Sequence, residues 1–299
     1  MSDVVSAPSL FRHQQAILGE SPFFDATGSL YWCDITAGLV YRSPVDGAVD
    51  GSDDEVFGLP APVASLHPAL RAGTPGFVVS LGDRIVLTDA SFTTVTELAR
   101  VRHAHAGLRL NEGKVDPAGR WVTGSMNVTT GEPDGAIYAL DARGTAPTLR
   151  VLRGGVGIAN GFEWSLDGGS FYFADTSVQS VYRGRYSADG DVTDEQVYVH
   201  GGMHDGLTLD AEGNAWGALY GEGVVVKYDG GGAELLRVEL PVPNVTSVAF
   251  GGRDLSTLYI TTARENLTEQ QLVEHPLSGS VFQVETSTRG RLPNVFLVG

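Results

Sequence analysis

Three polar residues, Glu20, Asn160 and Asp205, each open a stretch of the same design although they differ in type. "ESPFFDATGSLYWCDITAGLVYR" begins at Glu20, "NGFEWSLDGGSFYFADTSVQSVYR" at Asn160 and "DGLTLDAEGNAWGALYGEGVVVKYD" at Asp205. All three side chains present an oxygen. Two carboxylates and an amide oxygen gathered in one place suit a divalent cation, and two carboxylates side by side without one repel each other. The same residue types also open turns and strands by bonding to nearby backbone, with no ligand involved. If the three converge, they form either a metal site or a hydrogen-bonded plug.

The repeat that carries them says how they converge. Glu20, Asn111, Asn160 and Asp205 are followed at equal spacing by Gly28, Gly119, Gly168 and Gly213, which end the turns "DATG", "DPAG", "SLDG" and "DAEG". An aromatic then opens the next segment: Tyr31, Trp121, Phe171 and Trp216. Strand, glycine-ended turn and strand make a hairpin. Segments such as "GLVYR", "GAIYAL" and "GVVVKYD" add a third strand. Weaker copies begin near Val63 and Val245, so starts fall near 20, 64, 111, 160, 205 and 246. A spacing of about 41–49 residues, with three or four strands per unit, is the signature of propeller blades. The expected fold is all-β, a six-bladed β-propeller forming one domain over residues 1–299, with residues 1–11 a loose tail. Only "ENLTEQQLVEH", Glu265 to His275, reads as a short helix, in an outer loop. In a propeller the first strand of each blade lines the central channel, so equivalent opening residues meet around the axis at one end.

Composition narrows the function. A formal charge of −16 excludes nucleic-acid and anionic-membrane partners, which need clustered Lys and Arg. No run approaches the roughly 20 apolar residues of a membrane span. The opening residues carry no basic start followed by an apolar stretch, so no signal peptide is read. With Cys33 as the single cysteine, a disulfide within the chain is excluded, and a cytoplasmic location is expected. Cys33 reads as a small core residue rather than a nucleophile. No feature predicts an obligate protein partner.

The motifs "LGESPFFD", "RLNEGKVDPAGRWVTGSM", "NGFEWSLDGGSFYFAD", "DGLTLDAEGNAW" and "NVTSVAFGG" occur in order from about Arg12 to Phe296. In this ordered set the chain resembles the senescence-marker-protein, gluconolactonase and luciferin-regenerating family, which includes regucalcin and bacterial sugar lactonases. The resemblance implies a six-bladed propeller, in agreement with the blade count. It also implies that Glu20, Asn160 and Asp205 bind one divalent cation, that Asp205 donates or accepts a proton, and that Arg109 and Asn111 contact substrate. Ca²⁺, Zn²⁺, Mn²⁺, Mg²⁺ and Fe²⁺ are all candidates, and an all-oxygen set leans toward the harder ions. The implied reaction opens a sugar γ- or δ-lactone to the aldonic acid. One departure concerns specificity: regucalcin-like members carry a Glu shortly after the motif seen here as "GSM", where this chain has Asn127, Val128 and Thr129.

Other chemistries fit less well. His103 and His105 read as a loop pair, and His204 as packing beside Asp205. Ser21 and Ser125 have no evident base, and no Gly-x-Ser-x-Gly elbow is present. Two rival functions use the same expected fold: an organophosphate or aryl-ester hydrolase on a related Ca²⁺ propeller, and a non-enzymatic Ca²⁺-binding propeller.

Overall fold

The computed structural model of the protein describes residues 5–299. Its strands form six sheets, antiparallel but for one added parallel strand, arranged as the blades of a propeller. The innermost strands are Gly19–Phe24, Val63–Arg71, Leu108–Val115, Ala159–Trp164, His204–Leu209 and Val245–Gly251, which match the six starts expected from the repeat. Each touches the next around a closed circle, with the last against the first. The turn glycines Gly28, Gly119, Gly168 and Gly213 all take positive φ, the conformation that an L side chain resists. The aspartates ahead of them secure the turns, as where Asp210 Oδ1 accepts the N–H groups of Glu212 and Asn214.

The core is divided among the interfaces between blades. Each of six buried clusters joins two neighbouring blades, and the repeat aromatics fill them. Tyr31 lies between blades one and two, Trp121 between two and three, Phe171 between three and four, and Trp216 between five and six. Truncating such a buried aromatic costs about 3–5 kcal/mol, so these residues hold the blades at fixed angles around the axis.

One feature completes the expectation of three or four strands per unit, and a second departs from the sequence expectation. Each blade has a fourth, outer strand, such as Glu55–Gly58 or Val192–His200, whose mostly exposed residues carry little apolar pattern. The stretch 1–11 is not wholly a loose tail. Ser9–Arg12 pairs antiparallel with Val281–Glu285 and forms the outer strand of blade six, while residues 1–4 lie outside the described residues. Phe11 is buried there, and the Arg12 guanidinium reaches the outer loop of blade one. It donates to Asp54 Oδ1 at 2.7 Å and to the carbonyls of Pro44 and Gly47.

The C-terminal segment binds the ends of inner strands away from their opening residues. Phe296–Val298 pairs parallel with Val63–Arg71, and Asn294 donates to the Val115 carbonyl. Arg291 donates to Glu163 Oε1 at 2.7 Å, while Lys114 holds Glu163 Oε2 at 3.1 Å. The expected short helix is present as Glu269–Glu274, started by a capping box between Thr268 and Gln271.

Candidate functional site at the mouth of the channel

Every innermost strand loses regular pairing at its opening residue. The irregularities fall between Glu20 and Phe23, Val63 and Ser65, Leu110 and Gly113, Asn160 and Glu163, His204 and Leu207, and Val245 and Ser247. A bulge re-aims a side chain. Here six bulges stand in one ring at one end of the channel. The residues after Glu20 and Asn160, Ser21 and Gly161, both take left-handed φ, 52° and 58°. Ser21 bears a cost of about 1–2 kcal/mol for this, and its Oγ is engaged by the Leu66 N–H of the next blade at 3.1 Å. Gly161 has no room for a side chain, because a Cβ would stand 2.8 Å from the Asp205 carbonyl oxygen.

The ring brings together all five residues singled out by sequence. The carboxyl groups of Glu20 and Asp205 are neighbours, close enough for each to act on the other's charge. Asn111 Nδ2 donates to Asn160 Oδ1 at 2.7 Å, and Arg109 Nη1 donates to Asn111 Oδ1 at 2.7 Å. Beyond Asn160 stands Thr176, which sequence reasoning missed. Thr176 gives its hydroxyl proton to the His204 carbonyl at 2.5 Å and receives Asn160 Nδ2 at 2.9 Å. Because the hydroxyl has one proton to give, the Asn160 NH₂ must face Thr176. Its Oδ1 is therefore the atom turned to Asn111.

The electrostatics are those of an acidic site. Burial, then the nearby charges of Asp205 and Glu112, push the Glu20 carboxyl well above its ordinary range. Burial, then Glu112, do the same to Asp205. Glu112, also missed by sequence reasoning although it stands in "RLNEG", turns its own oxygens to the N–H groups of Gly113 and Gly161. Glu20 Oε1 is buried with no hydrogen-bond partner. Among the described residues no three His, Cys, Asp or Glu side chains stand ready as a metal cluster. The donor set here is instead two carboxylates and an amide, with Glu112 committed to backbone. An unpartnered buried oxygen beside two crowded carboxylates is relieved by a cation, so these residues fit one.

The bland readings of the other candidates agree with the structure. His204 is buried, shares a hydrogen bond with Tyr228 and has its pKa lowered to about 4 by burial. His105 is exposed and bonded to Asp134. The Cys33 thiol is pushed well up by burial, against the character of a nucleophile. Asn127, at the loop where the family Glu is missing, spends its amide on Asp134 and on the backbone N–H groups of Thr129 and Thr130.

The ring of oxygen donors thus stands at one mouth of a six-bladed propeller. The chain belongs to the family described as SMP-30/gluconolactonase/LRE-like, whose model matches residues 18–264. It is 34% identical over 284 residues to 6-deoxy-6-sulfogluconolactonase of Pseudomonas putida, covering 93% of this chain and 94% of that one. It is 34% identical over 288 residues to a pentonolactonase of Haloferax volcanii, covering 92% of each, and 33% identical to human regucalcin over 282 residues, covering 89% and 90%. Among solved structures, a regucalcin of Agrobacterium tumefaciens described as a calcium-binding protein superposes with TM-score 0.86 at 28% identity, covering 97% of both chains. A luciferin-regenerating enzyme superposes with TM-score 0.85 at 27% identity, covering 98% of this chain and 99% of that one.

Proposed function

We propose that the protein hydrolyses a sugar-derived γ- or δ-lactone to its aldonic acid, with one divalent cation held by Glu20, Asn160 and Asp205. The observation that carries this reading is the neighbouring pair of carboxylates, Glu20 buried with an unpartnered oxygen and Asp205 beside it, with the Asn160 amide oxygen and Arg109 joined through Asn111 in the same ring. The named lactonases among the relatives support the reaction class. A bound divalent cation supplies Lewis-acid polarisation of the ester carbonyl and offsets the crowded negative charge. The all-oxygen donors suit a hard cation.

The chain's own groups supply the rest. Asp205 takes a proton from the attacking water as the water oxygen bonds to the carbonyl carbon. It returns that proton to the ring oxygen as the ester C–O bond breaks. Arg109 uses one nitrogen, Nη1, on Asn111 and the Leu110 carbonyl. Its remaining N–H groups orient substrate oxygens. A reducing cytoplasm suits a chain whose cysteine, Cys33, is buried and free.

Chelation followed by metal replacement tests the reading. Turnover of an aldonolactone is expected to vanish on chelation and to return with a divalent ion, identified by elemental analysis of the untreated protein. Full turnover by a metal-free preparation would sink the metal assignment. Stoichiometric metal with no turnover on a panel of lactones would sink the lactonase assignment.

A further inference from the structure

Glu265 lies on the long connection that leaves the second strand of blade six, Thr257–Thr262, and leads to the short helix. Its backbone is held from three sides. Its N–H donates to the Ile17 carbonyl at 2.8 Å, and its carbonyl accepts Tyr220 Oη at 3.0 Å and Asn244 Nδ2 at 2.8 Å. The next residue, Asn266, is left-handed and donates its own Nδ2 to Tyr220 Oη at 3.1 Å. Tyr220, Asn244 and Asn266 thus clamp one peptide at the rim of the site, with contributions from blades five and six.

The clamp leaves the Glu265 side chain uncommitted. Among the described residues its half-buried carboxylate takes no hydrogen bond and forms no ion pair, although its charge acts on Arg109. Of the carboxylates acting on the Arg109 guanidinium, Glu265 acts most strongly, ahead of Glu20 and Asp205. An acceptor carried on a clamped peptide and a donor anchored through Nη1 thus feel each other's charge here without forming an ion pair. That arrangement matches a ligand whose neighbouring hydroxyls both give and receive hydrogen bonds. The loop at Asn127, which turns its amide to its own backbone and to Asp134, provides no such acceptor.

We propose that Glu265 is the hydroxyl-reading carboxylate of this site, paired with Arg109 across the mouth, and that it selects polyhydroxylated lactones over unsubstituted ones. This rests on the lactonase reading above. A hydrogen bond from a hydroxyl to a charged acceptor contributes about 1.5–3 kcal/mol, or roughly 10–150-fold.

The test compares glucono-δ-lactone with δ-valerolactone, which has the same ring size and no hydroxyls, in wild type, Glu265→Gln and Glu265→Ala. For Glu265→Ala we expect kcat/KM on glucono-δ-lactone to fall roughly 10–150-fold, while δ-valerolactone turnover and metal content stay near wild type. Glu265→Gln, which keeps one acceptor oxygen, is expected to fall between the two. Equal losses on both lactones, or no loss on either, would overturn the assignment. If wild type turns over neither lactone, the lactonase reading fails by itself, and calorimetric binding of sorbitol then decides on Glu265. Weakening of at least tenfold in Glu265→Ala supports the assignment, and unchanged or undetectable sorbitol binding overturns it.

Discussion

Asp205 and Glu20 meet as equals in the site, yet they are expected to answer differently to loss of charge. Asp205→Asn keeps an oxygen and a similar shape but cannot accept a proton, so kcat should stay about 10²–10⁴-fold low even at saturating metal. Glu20→Gln removes the same charge without touching the proposed base, so saturating metal should recover most of its activity. Equal rescue of both variants in a metal-titrated kinetic assay would reduce Asp205 to a ligand. Thr176 provides a second check at this scale, because it fixes the orientation of the Asn160 amide from one side as Asn111 does from the other. Thr176→Val should weaken calorimetric metal affinity by about 10–100-fold, as loss of a supporting hydrogen bond does, and Thr176→Ser should restore it. The oxygen donors were legible in the sequence because they recur in one frame of a repeat. Thr176, Tyr220 and Glu265 were not, because they stand on loops of unequal length where no periodicity marks a position.

Among the elements, inner strands announced themselves and outer strands did not. An inner strand is buried on both faces and ends on a glycine turn, so it writes a strong local pattern. An outer strand such as Val95–Arg100 is largely solvated, and little in its residue types separates it from a loop. The strand Ser9–Arg12 was hidden for a further reason: its partner is distant in sequence, and no local signal reports such a pairing. Its anchor can be measured. Arg12 and Asp54 Oδ1 form an ion pair with both side chains almost wholly buried, and Asp54 Oδ2 has no hydrogen-bond partner. Arg12→Ala strands that carboxylate, at a cost of about 3–5 kcal/mol and hence roughly 5–10 °C in thermal unfolding. Adding Asp54→Asn should recover part of the loss. A melting temperature unchanged by Arg12→Ala would mean that the outer strand contributes nothing to closure.

The whole molecule has a predictable response to acid. Burial and the charge of Lys114 lower the His67 pKa to about 3, and burial lowers that of His204 to about 4. Burial opposes ionisation of Glu163, but Lys114 and Arg291 outweigh it and bring its pKa to about 2. All three folded-state values lie below the unfolded ones, so the stability they confer is present above the unfolded pKa and is lost as pH falls. The histidine contributions should therefore fade from about pH 6.5 downward, and that of Glu163 from about pH 4.5 toward 2. Across its own window, between about pH 6.5 and 3, His67 should cost the fold roughly 1.4 kcal/mol for each step of one in pH. His67→Phe, which suits a site beside Phe23 and Trp121, should remove that contribution and flatten the fall in melting temperature. An unchanged slope would show that His67 does not set it. The blade count was legible from sequence alone, because period and turn chemistry repeat; the way the ring closes was not.

That closure has a consequence for how the protein is made. Residues 9–12 leave the ribosome long before residues 281–285, their partners in blade six, exist. Until then the first-made strand must wait unpaired, and blade one has no sixth blade to lean on. Glu20 comes from blade one and Asp205 from blade five, so the two are held at a fixed distance only when the circle is complete. Such long-range pairing is slow to form. Catalytic competence should therefore arrive in a single late step, after blade six has been synthesised. Nascent chains halted before residue 281 should show strand content with neither metal binding nor turnover, rather than a graded share of both.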